Sequence, residues 1–296
     1  MRLFLTRLIA LYLRHSPLQF GRPALITFAL GTLRREGRRI GKTAVRTIFG
    51  YRMALDLGDW VDQYIYLTGQ YEEPTTEVVK ALVRPGDAAV DVGANIGYFS
   101  LLLANITGTS GAVWAFEPVP GTNQRLRQNV ALNNASTITV RNEAVADNDT
   151  EQDIFAGPED HSGIASLRPV DGSTHSVTVP VRRLTSCLPA NTVPRLIKID
   201  VEGAEYLALQ GMKDILSAHH PDIVLEVSTE YLAEMGHSPV QIHQELAALG
   251  YRMYMIAWEG LVALPAWHSG LPVQFNALFT TRPSLPANIR IKTAFA

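Results

Sequence analysis

Three short stretches of the 296-residue chain concentrate the residues that can do chemistry. In the first, the apolar run 88–92 leads through Asp91 into a turn holding Gly93, Asn95 and Gly97, followed by Tyr98. Glycine lets backbone approach a ligand closely, and a helix opening beyond such a turn offers free N–H groups to an anionic ligand group. A dinucleotide turn has the spacing G-x-G-x-x-G. Here Gly93 and Gly97 are spaced G-x-x-x-G with Asn95 at the middle position, which disfavours pyrophosphate. An acid just ahead of the turn suits a ligand bearing cationic sulfonium and ammonium groups, so the pattern favours S-adenosylmethionine.

In the second stretch Glu117 closes the apolar run 112–116. It stands about 20 residues past the glycine turn, where a carboxylate can accept both hydroxyls of a ribose. The third stretch is Lys198-Ile199-Asp200-Val201-Glu202-Gly203-Ala204-Glu205, a strand ending in charge with glycine opening a helix. At the carboxyl end of a parallel strand these acids would face the same cleft as Asp91 and Glu117. The competing reading of the same acids is helix N-terminal residues favoured by the macrodipole.

The elements that must hold these stretches alternate in the manner of a parallel sheet. Strands are expected at 88–92, 112–116, 137–140, 196–199, 222–227, 251–257 and 274–280. Helices are expected at 75–83, 98–105, 122–132, 204–217 and 240–249. The connection 258–272 is short for a helical crossover, so the last two strands should be antiparallel. Between 142 and 193 helical periodicity disappears and three β-rich runs, 152–155, 164–167 and 177–181, read as a β insertion between the third and fourth strands. The expected fold class is α/β: a Rossmann-like, seven-stranded, mostly parallel sheet with that insertion and an N-terminal helical extension.

The motifs D-V-G-A-N-x-G-Y-F-S at Asp91, F-E-P at Glu117 and K-I-D-V-E-G-A-E at Lys198 together resemble the FkbM family of S-adenosylmethionine-dependent methyltransferases. The resemblance covers roughly residues 51–278. Gly69-Gln70-Tyr71-Glu72 is similar to the family's G-x-Y-E element, and His161-Ser162-Gly163 with Ser166-Leu167 to its small-residue loop. The resemblance implies a class I methyltransferase fold and transfer of a methyl group to oxygen. It also implies cofactor contacts from Asp91, Gly93, Asn95, Gly97, Tyr98 and Glu117, with Asp200 near the reactive methyl and Glu72, Glu143 and Ala144 as weaker candidates.

A hydroxyl acceptor must lose its proton, and Asp200, Glu202, Glu226 and His161 are the candidate bases by type and placement. The first three could also hold a hard, oxygen-liganded cation, although no metal is expected as a resident ligand. The eight histidines and the single Cys187 form no zinc-like spacing and permit no internal disulfide. The expected acceptor is a small molecule, sugar or polyketide. Tyr64, Tyr66, Trp258 and Trp267 are candidates to line its pocket. Alternatives from other classes are an inactive cofactor-binding interaction module and an enzyme acting on a macromolecule.

A net charge of -2 gives no whole-chain argument for nucleic acid, and none is expected as a partner. Charge is uneven, however. Residues 1–50 carry ten Lys and Arg against the single acid Glu36, interleaved with apolar residues, and form a basic amphipathic extension ahead of a domain at 51–296. That extension suits an acidic membrane surface, a homodimer contact or a solvated arm. No stretch reaches the ~20 apolar residues needed to span a bilayer, and no signal-peptide pattern precedes the domain, so a cytoplasmic protein is expected.

Overall fold

The computed structural model describes residues 2–16, 21–156, 165–166 and 176–292. The chain opens with helices α1 (Arg2–His15) and α2 (Arg22–Ile40), then strands β1 (Lys42–Arg46) and β2 (Arg52–Asp56), paired as an antiparallel hairpin around the turn near residue 50. Helix α3 (Trp60–Thr68) follows, capped by Asp59, whose side chain accepts from the Val61 and Asp62 amides. Next come α4 (Glu73–Leu82), β3 (Ala88–Val92), α5 (Tyr98–Thr107), β4 (Ala112–Phe116), α6 (Pro120–Leu132) and β5 (Ile138–Arg141).

The β insertion is a small separate sheet of β6 (Ala144–Val145), β7 (Thr150–Ala156), β8 (Ala165–Ser166) and β9 (Ser176–Arg182), ordered β6-β9-β7-β8. The main pattern then resumes after α7 (Leu184–Cys187) with β10 (Pro194–Ile199), α8 (Glu205–Gln210), α9 (Lys213–His219), β11 (Asp222–Ser228), α10 (Thr229–Glu234) and α11 (Pro239–Ala248). Strands β12 (Arg252–Ala257), β13 (Gly260–Leu264), β14 (Gln274–Thr280) and β15 (Ile291–Lys292) complete the chain.

The main sheet runs β15-β13-β12-β14-β11-β10-β3-β4-β5. From β11 to β5 all pairs are parallel, and β14 enters antiparallel between β11 and β12. The seven expected strands are therefore present, with the last two antiparallel. The chain leaves β3 in one direction toward β4 and β5, then returns to lay β10 on its other side. This makes the exits of β3 and β10 the switch point where an α/β sheet binds ligands.

Three local differences have physical reasons. The stretch 258–272 is not a plain loop: a two-residue turn at Trp258 and Glu259 returns the chain as β13, which with β15 widens the sheet to nine strands. The expected single helix 204–217 is broken into α8 and α9 at Gly211, where a Cβ would lie 1.9 Å from the Ala146 carbonyl oxygen. The insertion strand's end thus presses directly on that turn. Helix α4 starts at Glu73, one residue before the Pro74 expected at its start, and Pro74 sits in the first turn, where its missing N–H costs nothing.

Apolar layers cover both faces of the sheet. On one face Ala89, Val113, Leu196, Val224 and Leu278 meet α4, α5 and the hairpin; on the other Val90, Ile197, Ile199, Leu225 and Phe279 meet α8, α9 and α11. Buried Asn129 on α6 ties the hairpin to the glycine turn, accepting from the Ala54 amide at 2.7 Å and donating to the Ile96 carbonyl at 2.9 Å. A third, smaller apolar cluster joins Ile9, Ala10 and Leu13 of α1 to Ala29 and Leu33 of α2 and to Leu57 and Leu67.

Candidate active site

Strand pleating and register decide which side chains share the cleft. Successive residues of a strand point to opposite faces, so Leu196 and Lys198 lie on one face of β10, Ala89 and Asp91 on the same face of β3, and Val224 and Glu226 on that of β11. Lys198 is the register partner of Asp91, and Glu226 that of Asn276 on β14. Because Lys198 registers with Val224, the second pair lies two residues further along, and a stepped polar row crosses four adjacent strands near their ends, in a sheet whose flanking residues are apolar.

The glycine turn closes this row. Gly93, at φ +80°, leaves no room for a side chain: a Cβ would fall 1.7 Å from the Asp200 carbonyl oxygen. The Asp200 amide in turn donates to the Val92 carbonyl at 3.0 Å, so the exits of β3 and β10 are in direct backbone contact. Asn95 (φ +48°) and Gly97 (φ +92°) complete the turn, and Gly97 caps α5.

Glu117, at the exit of β4, is buried and doubly held. Its carboxylate accepts from the Asn95 amide at 2.9 Å and from the Val119 amide at 3.0 Å. Burial pushes its pKa up to about 7 against the pull of those two amides. Asp91 accepts from the Ser100 hydroxyl at 2.6 Å through one oxygen, while Oδ1 is buried with no hydrogen-bond partner, as is Asn95 Oδ1. Burial likewise raises the Asp91 pKa, opposed by Lys198.

A cavity of about 610 Å³ joins these groups to the acids of β10 and β11. Lys198 is 2% exposed, with Nζ 2.8 Å from Asp200 Oδ2 and 4.6 Å from the centre of the Phe99 ring. Burial opposes its charge, but Asp200, Glu72 and Asp91 outweigh that and hold it above the ordinary lysine range. Asp200, Glu202 and Glu226 each bring an oxygen within 4.8 Å of the others. Burial first, then their mutual repulsion, raises Glu202 to about 8 and Glu226 to about 10. Gln274 Nε2 donates to Glu226 at 2.9 Å.

Glu72 joins them from the start of α4, in the left-handed region at φ 42°, where Asn276 Nδ2 donates to it at 3.1 Å. Burial lifts its pKa to about 7, opposed by Lys198 and reinforced by Asp200. Tyr98 lines the cavity but directs its hydroxyl to Thr76 at 3.1 Å. Glu143 also lies on the wall, with both oxygens taken by Arg141 at 2.9 and 3.0 Å. His161 lies outside the described residues.

Of the aromatic candidates, Tyr64 and Trp258 line the cavity together with Trp60 and Tyr71. Tyr66 instead packs against the N-terminal helices under Arg14, and Trp267 stacks on Phe275 with ring centres 5.6 Å apart. Sequence reasoning passed over Lys198, Gln274 and Asn276 as site residues. A lysine inside a buried parallel strand was the available signal for the first; nothing local marks the other two.

The donor set fits S-adenosylmethionine. Glu117 is a fixed carboxylate at the position of a ribose acceptor, two buried oxygens lack partners, and the cleft is acidic toward a cationic ligand.

The Methyltransferase FkbM domain family matches residues 91–253. Methyltransferase 1 of Beauveria bassiana (strain ARSEF 2860) is 30% identical over 169 residues, 50% of this chain and 65% of the relative, so the chain spans just under two thirds of the relative's length. The solved FkbM methyltransferase of Methylobacillus flagellatus KT is 20% identical, with 74% of this chain and 52% of that one covered and a TM-score of 0.42. A SAM-dependent O-methyltransferase of Thermotoga maritima is 14% identical, with 82% and 78% covered and a TM-score of 0.40. As the family's domain matches more than half of this chain, the chain belongs to the FkbM methyltransferase family, whose cofactor is S-adenosylmethionine.

Proposed function

We propose that this protein transfers a methyl group from S-adenosylmethionine to a hydroxyl oxygen of a small molecule, sugar or polyketide. The observation that carries the reading is one cavity with two chemically different ends: the Asp91, Asn95 and Glu117 acceptors on one side, and the Asp200, Glu202 and Glu226 cluster on the other. Its volume of about 610 Å³ lies in the range of small-molecule sites. An acidic lining with the Asp200 carboxylate at its centre opposes a phosphate backbone, which favours a small acceptor over nucleic acid.

When bound, S-adenosylmethionine supplies an electrophilic methyl carbon on a sulfonium that departs as a neutral thioether. The chain's part is alignment and proton removal. Asp91, Asn95 and Glu117 orient the donor, and the aromatic wall of Trp60, Tyr64 and Tyr71 keeps water out. As the acceptor oxygen bonds to the methyl carbon, its hydroxyl proton passes to the Asp200 carboxylate, which Lys198 fixes in place. Glu226, with a pKa of about 10, holds its own proton at neutral pH and acts as a hydrogen-bond donor, not as the base.

The test is transfer of labelled methyl from S-adenosylmethionine to a panel of hydroxylated sugars, lipids and polyketides. Asp200→Asn should lower turnover by about 100-fold or more while still binding the donor. Donor binding with no transfer to any hydroxyl, or transfer to nitrogen or nucleic acid, contradicts the reading.

A further inference from the structure

The N-terminal helix pair leaves an apolar face uncovered. Helix α1 buries Ile9, Ala10 and Leu13 against α2 and α3, as a surface helix should with one stripe. Its opposite side is largely apolar as well: Phe4, Leu8 and Leu11 recur at helical spacing with 67%, 46% and 55% of their surface exposed, Leu3 and Leu5 flank them, also exposed, and the exposed cation Arg7 stands among them. On α2 the exposed face begins with Ala24 and Phe28 and continues two and three turns past Phe28 as Arg35 and Arg39, with exposed Arg34 near them and Lys42 just beyond the helix. A hydrocarbon face that passes into a row of cations is the pattern of a helix lying in a lipid interface.

We infer that α1 and α2 dock the protein onto an anionic bilayer surface, with Phe4, Leu8, Leu11 and Phe28 entering the acyl boundary and Arg34, Arg35, Arg39 and Lys42 meeting lipid phosphates. Charge selects this occupant over a second copy of the chain. Residues 1–50 carry a net +9, so a two-fold contact through the same face would set arginines against arginines with only Glu36 to offset them. The whole chain is at -2, so residues 51–296 carry -11. Such a bipolar molecule is drawn to an anionic surface by its N-terminal face and repelled through the rest, which fixes its orientation. No helix among the described residues is long and apolar enough to cross a membrane, in keeping with helices that lie on the bilayer.

The docking pair is joined to the cavity. Helix α3 packs on both α1 and α2, with Leu67 in their apolar cluster, and it offers Trp60, Val61 and Tyr64 to the cavity wall. The inference does not depend on the reaction proposed above.

Flotation of the full chain with vesicles tests it, comparing phosphatidylcholine alone with phosphatidylcholine mixed with phosphatidylserine. Two variants change exposed residues only: Phe4→Ser with Leu8→Ser, and Arg35→Glu with Arg39→Glu. The wild type should float with the mixed vesicles alone and be released by salt, and each variant should partition at least about tenfold more weakly. Unchanged circular dichroism and thermal midpoint exclude misfolding as the cause. Equal flotation with neutral vesicles, or variants that partition like the wild type, overturns the inference. So does a wild type that never floats but runs as a dimer which Phe4→Ser with Leu8→Ser dissociates, since that identifies a second copy as the occupant.

Discussion

Lys198 Nζ lies 2.8 Å from Asp200 Oδ2, and the two residues belong to one strand and its exit. The strand is buried, so the lysine's charge persists there through its acidic neighbours, and their charges persist partly through it. Lys198→Met keeps the stem and removes the cation, leaving Asp200, Asp91 and Glu72 uncompensated. Stability should fall by about 3 kcal/mol, read by urea denaturation. Pairing it with Asp200→Leu should restore much of that stability without restoring methyl transfer. A single variant as stable as the wild type would mean that the lysine does not hold the acids together.

Gly93→Ala introduces a methyl group where the Asp200 carbonyl oxygen already lies, at a φ that alanine adopts only with strain. Because the obstacle is backbone, the two strand exits must separate. A loss of about 2–4 kcal/mol is expected from strain and overpacking together, along with weakened donor binding.

Asn129→Ala strands two backbone groups, the Ala54 amide and the Ile96 carbonyl. Their loss should lower stability by about 2–3 kcal/mol in thermal or urea melts. Hydrogen exchange should rise at both the hairpin and the glycine turn, since one side chain links them.

The acid cluster has a definite pH signature. In the folded chain Glu72 and Glu117 titrate near 7, Glu202 near 8 and Glu226 near 10, against about 4.3 for an unfolded glutamate. Between these values the folded state binds more protons than the unfolded one, so the cluster's contribution to stability declines as pH rises. The ligand-free protein should therefore lose stability from about pH 5 to pH 8, and Glu226→Gln should lose less over that window. Identical pH profiles for the two proteins would show that Glu226 is not the group retaining its proton.

The cleft was legible in the sequence to the extent that strand ends define it. Asp91, Glu117, Asp200 and Glu226 follow or close apolar runs, and parallel strands bring such positions to one edge of a sheet. Asn276 was not legible, because it reaches Glu72 across 204 residues through the β11–β14 register, which no local pattern encodes. The break between α8 and α9 was hidden for a similar reason: Gly211 lies in a run of good helix formers, and its long-range neighbours are the Ala146 carbonyl of the insertion, which leaves room only for glycine, and the Leu184 amide, which donates to its carbonyl at 3.0 Å. Strand β13 did carry a signal, the run Leu261-Val262-Ala263-Leu264 after a two-residue turn, but its length alone does not separate a strand from a loop.

Glu117 bears the central claim most directly, because its carboxylate is fixed by two amides at the exit of β4 and is the proposed acceptor for the ribose hydroxyls. Calorimetric titration with S-adenosylmethionine and S-adenosylhomocysteine, on the wild type and on Glu117→Ala, measures that claim. The wild type should bind both ligands, and the variant, folded by circular dichroism, should bind each at least about tenfold more weakly. A folded wild type that binds neither ligand, or a variant that binds as tightly as the wild type, would contradict the assignment of this cleft.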